Sequence, residues 1–209
     1  MGYYPFFLEM NRRRCVVIGG GTVAERRIEG LLGAGASVAV ISPTINEGLE
    51  NLRLERRIRH IERGYETGDL TGYELAFAAT DEPEVNARVY RDARAQGVWI
   101  NSADDPAHCD FILPAVIRRG DLTVAVSTGG ASPAATRAIR EELDQYFTGD
   151  YAGFVRIAQE VRNELRGRSL AVSADGWNRA LQGEFRRLLQ QGRPEQAKTL
   201  LLERLGAKP

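Results

Sequence analysis

The sequence predicts an α/β protein: a doubly wound domain on a parallel sheet, then a small β-β-α segment, then a helical domain. Three observations carry this. Short apolar runs rich in β-branched residues alternate with amphipathic helical stretches through the first hundred residues. A triple glycine, Gly19-Gly20-Gly21, joins the first such run to the first helix. From Tyr151 onward the apolar residues keep helical spacing only.

Taken in order, Cys15 to Ile18 is the first strand and Val23 to Leu32 the first helix, its apolar Val23, Ile28, Leu31 and Leu32 set among Glu25, Arg26, Arg27 and Glu29. Gly33 and Gly35 stop it, and Ser37 to Ile41 (SVAVI) is a second strand. Strand, glycine turn, helix and strand within about 30 residues make a βαβ unit, whose crossover requires parallel pairing. Ile58 to Ile61 reads as a third strand, and Leu75 to Ala79 (LAFAA) as a fourth whose unbroken apolarity predicts burial on both faces. Asp81-Glu82-Pro83-Glu84 predicts a helix start, with Asp81 as N-cap and Glu84 completing a capping-box-like pair. That helix should reach Gln96 and end at Gly97, before a fifth strand at Val98 to Ile100.

Phe111 to Ile117 and Leu122 to Ser127 then predict a hairpin turning through Arg118-Arg119-Gly120-Asp121. Ser132-Pro133, an N-cap and first-turn pair, opens a helix to about Phe147. So small a piece is not stable alone, and is expected to pack on the first domain or on another subunit. Beyond it, Tyr151 to Leu165 predicts one helix, Trp177 to Leu189 a second and Ala197 to Leu205 a third. The expected domains are residues 1–113, 114–147 and 148–209.

At 209 residues, with 43% apolar and 27% charged, the chain can bury roughly 70% of its unfolded surface and needs no disulfide staples. Twenty-eight basic residues balance 28 acidic ones, which argues against a general nucleic-acid binder. The balance is uneven along the chain: residues 1–150 hold 17 basic against 22 acidic, a net of −5, and residues 151–209 hold 11 against 6, a net of +5. A basic region of this kind suits an anionic substrate or an acidic neighbour, or is simply a solvated helix face. Cys15 and Cys109 form no CxxC and imply a reducing cytoplasm. The apolar run Tyr3–Leu8 is too short for a secretory h-region and its arginines follow it, so no leader or membrane span is expected.

Three motifs could carry chemistry. Gly19-x-Gly21-x-x-Ala24 supplies a tight strand-to-helix turn, a backbone that can approach a pyrophosphate, and the positive end of a helix macrodipole. It predicts a dinucleotide site; a purely structural glycine turn is the alternative. The acidic residue that usually holds the ribose after the second strand is replaced by Ser42-Pro43-Thr44. No arginine stands beside it in sequence for a 2′-phosphate, so NAD is expected rather than NADP. The second motif, Asn101 to Asp110, follows the fifth strand and holds Asp104, Asp105, His108 and Cys109. It offers a general base, or is a turn whose carboxylates cap backbone amides; its spacing is no regular metal-ligand set. The third, Ser127-Thr128-Gly129-Gly130 before Ser132-Pro133, is an anion-receptive loop or equally a capped helix start.

Together the stretches "YPFFLEMNRRRCVVIGGGTVAERRIEGLLGAGASVAVISP", "ELAFAATDEPEVN", "NSADDPAHCDFILPA" and "LTVAVSTGGASPAATRAIRE" resemble the precorrin-2 dehydrogenase and sirohydrochlorin ferrochelatase family, which includes the N-terminal part of siroheme synthase. The resemblance covers about residues 3–145, and the last 60 residues resemble the family only as a helical domain. It implies a Rossmann-like domain, oxidation of precorrin-2 to sirohydrochlorin with NAD+, and in some members insertion of Fe2+. It places the essential aspartate on Asp104. It puts NAD contacts at Thr22-Val23 and Pro43-Thr44, and Thr128 beside a serine that is phosphorylated in the family. It also implies a homodimer joined through the β-β-α segment. The expected cofactor set is thus Gly19, Gly21, Thr22, Val23, Ala24, Ser42, Pro43, Thr44 and Thr80, with Ser127, Thr128, Gly129 and Gly130 facing the tetrapyrrole. A non-catalytic NAD-binding regulatory module and a chelatase-only protein are the competing classes.

Overall fold

The computed structural model describes residues 2–103 and 105–207. The chain divides into two compact units, one ending at Leu113 and one beginning at Pro114.

The first unit holds β1 (Arg14–Ile18), α1 (Thr22–Gly33), β2 (Ser37–Ile41), α2 (Glu47–Leu54), β3 (Ile58–Ile61), β4 (Leu75–Ala78), α3 (Pro83–Gln96) and β5 (Trp99–Ser102). Its five strands are all parallel in the order β3-β2-β1-β4-β5, so the chain reverses its winding between β1 and β4. This is the doubly wound Rossmann-like sheet, and the switch point falls beside the glycine turn. Strand residues alternate between two cores. Cys15, Val17, Val38, Val40 and Phe77 pack with Ile28, Leu31 and Leu49, from α1 and α2. Val16, Ile18, Ile41, Ala76 and Ala78 pack with Val89 and Ala93 of α3. All four residues of β4 are buried, as the unbroken LAFA run requires.

Two helix expectations need correction here. The N-cap of α3 is Glu82 rather than Asp81, and it makes no side-chain capping bond; Pro83 alone fixes the first turn. The helix α2 lies in a stretch with no assigned element. Its Asn46 cap accepts from the amide of Leu49, and Leu49 is its one buried residue among those described, so its apolar stripe is too thin to read.

The second unit begins with the antiparallel hairpin β6 (Ala115–Arg119) and β7 (Leu122–Val126), followed by α4 (Pro133–Tyr146), α5 (Asp150–Gly167), α6 (Ala174–Ala180), α7 (Glu184–Gln190) and α8 (Pro194–Arg204). Ser132 caps α4 through the amide of Ala135, as its Ser-Pro start predicts. Both α4 and α5 pack on the hairpin, and Gly120 at its tip is close enough to α5 that a Cβ there would lie 3.2 Å from that of Ala152. The single helix expected from Trp177 to Leu189 is broken into α6 and α7 at Gly183, whose φ of 64° is left-handed. The break lets Phe185, Leu188 and Leu189 turn into one core with Ile157, Val161 and Leu201. No helix among the described residues is long and apolar enough to cross a membrane.

Candidate functional site

The three glycines after β1 do different work. Gly19 has φ +124°, and a Cβ on it would sit 2.3 Å from the carbonyl oxygen of Ala79, so the turn lies flat against the end of β4. A Cβ on Gly20 would sit 1.9 Å from the Thr44 carbonyl oxygen, and the Gly20 carbonyl accepts from the amide of Asn46 at 2.9 Å. Gly21 is the N-cap of α1, has ordinary extended backbone, makes no side-chain capping bond, and has nothing within 4 Å of an added Cβ. Two glycines therefore draw the neighbouring loops onto the turn, and the third leaves open space over a helix N-terminus. Ala24, wholly buried one turn on, lets α1 approach the sheet. Thr22 and Val23, the first residues of α1, are both exposed. Backbone donors, a macrodipole and open space are what a dinucleotide pyrophosphate needs, and these residues fit one.

The role of Gly20 was not visible in the motif. Gly20→Ala is expected to cost about 3 kcal/mol, the upper part of the usual overpacking range, because it must displace main chain at Thr44 rather than a flexible side chain. Urea denaturation measures this; an unchanged midpoint would mean that the 42–46 loop yields freely.

Around the turn, Thr80 is fixed by Asn86, whose Nδ2 donates to the Thr80 carbonyl at 2.9 Å while its Oδ1 accepts from the Thr80 hydroxyl at 2.9 Å. Ser42 is buried, and its hydroxyl donates to the Thr44 carbonyl at 2.6 Å, so its hydrogen is already committed. Pro43 and Thr44 instead open on a cleft shared with Glu50, Arg53, His60 and Glu62. An arginine does stand beside this position after all. It comes from α2, opposite the edge strand, and Glu50 holds it by two bonds of 2.7 and 2.5 Å.

The loop after β5 is pinned at both ends. Ala103 N donates to the Ala78 carbonyl at 2.8 Å, Asp110 N to the Ile100 carbonyl at 2.8 Å, and Arg94 pairs with the Asp110 carboxylate at 2.7 Å. Asp104 lies outside the described residues. Its neighbour Asp105 accepts a 2.5 Å bond from His108 Nδ1, and this bond holds the Asp105 carboxyl below the usual carboxylate range. The His108 ring packs edge-on against Tyr90, with centroids 4.5 Å apart. Cys109 accepts from the Ser102 amide at 3.1 Å, and burial pushes its thiol up, so it is a packed rather than a reactive sulfur.

Ser127 to Gly130 belong to the second unit. The Thr128 hydroxyl accepts from Ser132 N at 3.1 Å and lies 2.9 Å from the Thr136 hydroxyl, while Ser127 Oγ accepts from Gly129 N at 3.1 Å. These bonds build the capped start of α4.

Residues 6–115, just over half of the chain, match the family described as "Putative NAD(P)-binding", and residues 119–146 match the central segment of sirohaem biosynthesis proteins. The chain belongs to the family of putative NAD(P)-binding proteins that its first unit matches. Among relatives, it is 37% identical over 204 residues to the siroheme synthase of Photobacterium profundum, covering 97% of this chain and 44% of that protein. It is 38% identical over 205 residues to that of Methylococcus capsulatus, covering 97% and 43%. The chain thus spans less than half the length of these siroheme synthases. A solved structure of SirC, a precorrin-2 dehydrogenase, matches 97% of this chain and 98% of its own with a TM-score of 0.74 and 25% identity.

Proposed function

We propose that this chain oxidises precorrin-2 to sirohydrochlorin with NAD+, in the synthesis of siroheme. The observation that carries this is the match to a precorrin-2 dehydrogenase over nearly the whole of both chains, combined with an open glycine turn at the switch point of the sheet.

Bound NAD+ would supply the hydride acceptor. Gly19, Gly21, Thr22, Val23 and Ala24 would receive the pyrophosphate, and Ser42, Pro43, Thr44 and Thr80 would border the nucleoside parts. Asp104, next to the His108-held Asp105, would take the proton that the macrocycle loses as the hydride leaves. Ser127 to Gly130 and the net positive charge of residues 151–209 would meet the carboxylates of the tetrapyrrole. In those members that chelate, Fe2+ is the second substrate, and the same aspartate would accept the displaced pyrrole protons. The working compartment would be the cytoplasm.

The test is anaerobic: precorrin-2 with NAD+, following NADH and the chromophore, then sirohydrochlorin with Fe2+. No NADH in the first step overturns the dehydrogenase; metallation without NADH formation would make the chain a chelatase.

The same reading includes a homodimer through residues 114–147. Neither β7 nor α4 contains a fully buried residue, and Ile139 and Tyr146 of α4 are 40% and 67% exposed. A two-stranded sheet and a helix that leave this much apolar surface exposed need a partner. Sedimentation is expected to give a dimer at micromolar concentration; a monomer there excludes it.

A further inference from the structure

We propose that the cleft beyond β2 discriminates between a 2′-hydroxyl and a 2′-phosphate, with Glu50 withholding Arg53 from the phosphate. This rests on the coenzyme reading above and names the groups that would set its choice of coenzyme.

The cleft begins where β2 ends, the place where a doubly wound sheet receives the adenosine ribose. One of its walls, the segment holding Thr44, is packed directly on Gly20 of the glycine turn, where Asn46 N donates to the Gly20 carbonyl. Its walls carry Arg53 and His60, which would attract a phosphate, and Glu50 and Glu62, which would repel one. The attractive groups are both engaged. His60 Nε2 donates to the Ser42 carbonyl at 2.9 Å. Arg53 presents Nε and Nη2 to the two oxygens of Glu50, and that fork is the same one a phosphate would take. A ribose hydroxyl is neutral and could be served by Thr44 and nearby main chain. A 2′-phosphate would bring about two negative charges between Glu50 and Glu62, and would have to displace a carboxylate to reach Arg53.

The pair is exposed on a short surface helix, with the two side chains 44% and 40% accessible, so the cleft is open to a ligand and Glu50 can be changed without disturbing the core. Removing one carboxylate charge from beside a phosphate dianion changes affinity on the order of tenfold.

The experiment is calorimetric titration of the full chain with NAD+ and, separately, NADP+. The wild-type protein is expected to bind NADP+ at least about tenfold more weakly than NAD+. Glu50→Gln is expected to raise NADP+ affinity about tenfold while leaving NAD+ within about twofold. The double variant Glu50→Gln with Arg53→Ala should lose that gain. Glu62→Gln, a smaller gain in the same direction, gives the same readout if Glu50→Gln fails to fold. NADP+ affinity unmoved in these variants while NAD+ binds normally overturns the inference and leaves the coenzyme site standing. A gain that survives loss of Arg53 also overturns it. A wild-type chain that binds neither coenzyme overturns the coenzyme reading itself.

Discussion

Gly21→Asp is expected to abolish NAD+ binding, at least about a hundredfold in affinity, while leaving the protein as stable as before or slightly more so. The two halves of this result have separate causes. Nothing lies within 4 Å of a Cβ at Gly21, and its φ of −91° and ψ of −170° suit any residue, so the side chain enters without strain. The position is also the uncapped N-cap of α1, where aspartate is among the most favourable residues, worth typically ~1 kcal/mol. The carboxylate would accept from the same first-turn amides that a pyrophosphate needs, and would place a negative charge where the phosphates belong. Gly21→Ala fills the space without the charge and should weaken binding less. Calorimetry with NAD+ beside a thermal melt decides this. Undiminished affinity in the aspartate variant would mean that the dinucleotide is held elsewhere.

The contrast among the three glycines shows where sequence reading stops. The spacing from Gly19 through Gly21 to Ala24 is local, so the turn and its helix could be read directly. So could SVAVI and LAFA, because an unbroken apolar run only four or five residues long suits a buried parallel strand and is too short for a helix. Gly20 could not be read, since its constraint is the main chain of Thr44, which approaches only when β2 pairs with β1. Arg53 and His60 were missed as neighbours of Pro43 for a similar reason: they are brought beside it by α2 and by the pairing of β3 with β2. The break between α6 and α7 was hidden because Trp177, Leu181 and Leu188 keep a passable helical phase across Gly183, and only packing around Phe185 requires the chain to turn there. In the loop after β5 the sequence offered two adjacent carboxylates. The structure gives Asp105 a partner in His108, and Asp104 lies outside the described residues.

That partner makes the sharpest expectation about turnover. Asp105 is held by His108 through a 2.5 Å bond, which stabilises its charged form and makes it a weaker base. A carboxylate committed in this way is poorly placed to accept a proton from a macrocycle, and replacing it with asparagine should chiefly loosen the loop. Asp104, the residue that the family resemblance selects, is the base we propose. Asp104→Asn keeps the size and most turn-forming hydrogen bonds but removes the proton acceptor, and should lower the rate of precorrin-2 oxidation on the order of 100-fold or more, the lower end of what general-base catalysis supplies. Its NAD+ affinity should be unchanged, because the pyrophosphate turn lies on a different loop. Asp105→Asn should cost much less under the same assay. Single-turnover NADH formation in the two variants, with coenzyme affinity measured alongside, separates the cases. Near-wild-type turnover in Asp104→Asn, with a collapse in Asp105→Asn or His108→Ala, would move the chemistry to the Asp105–His108 pair.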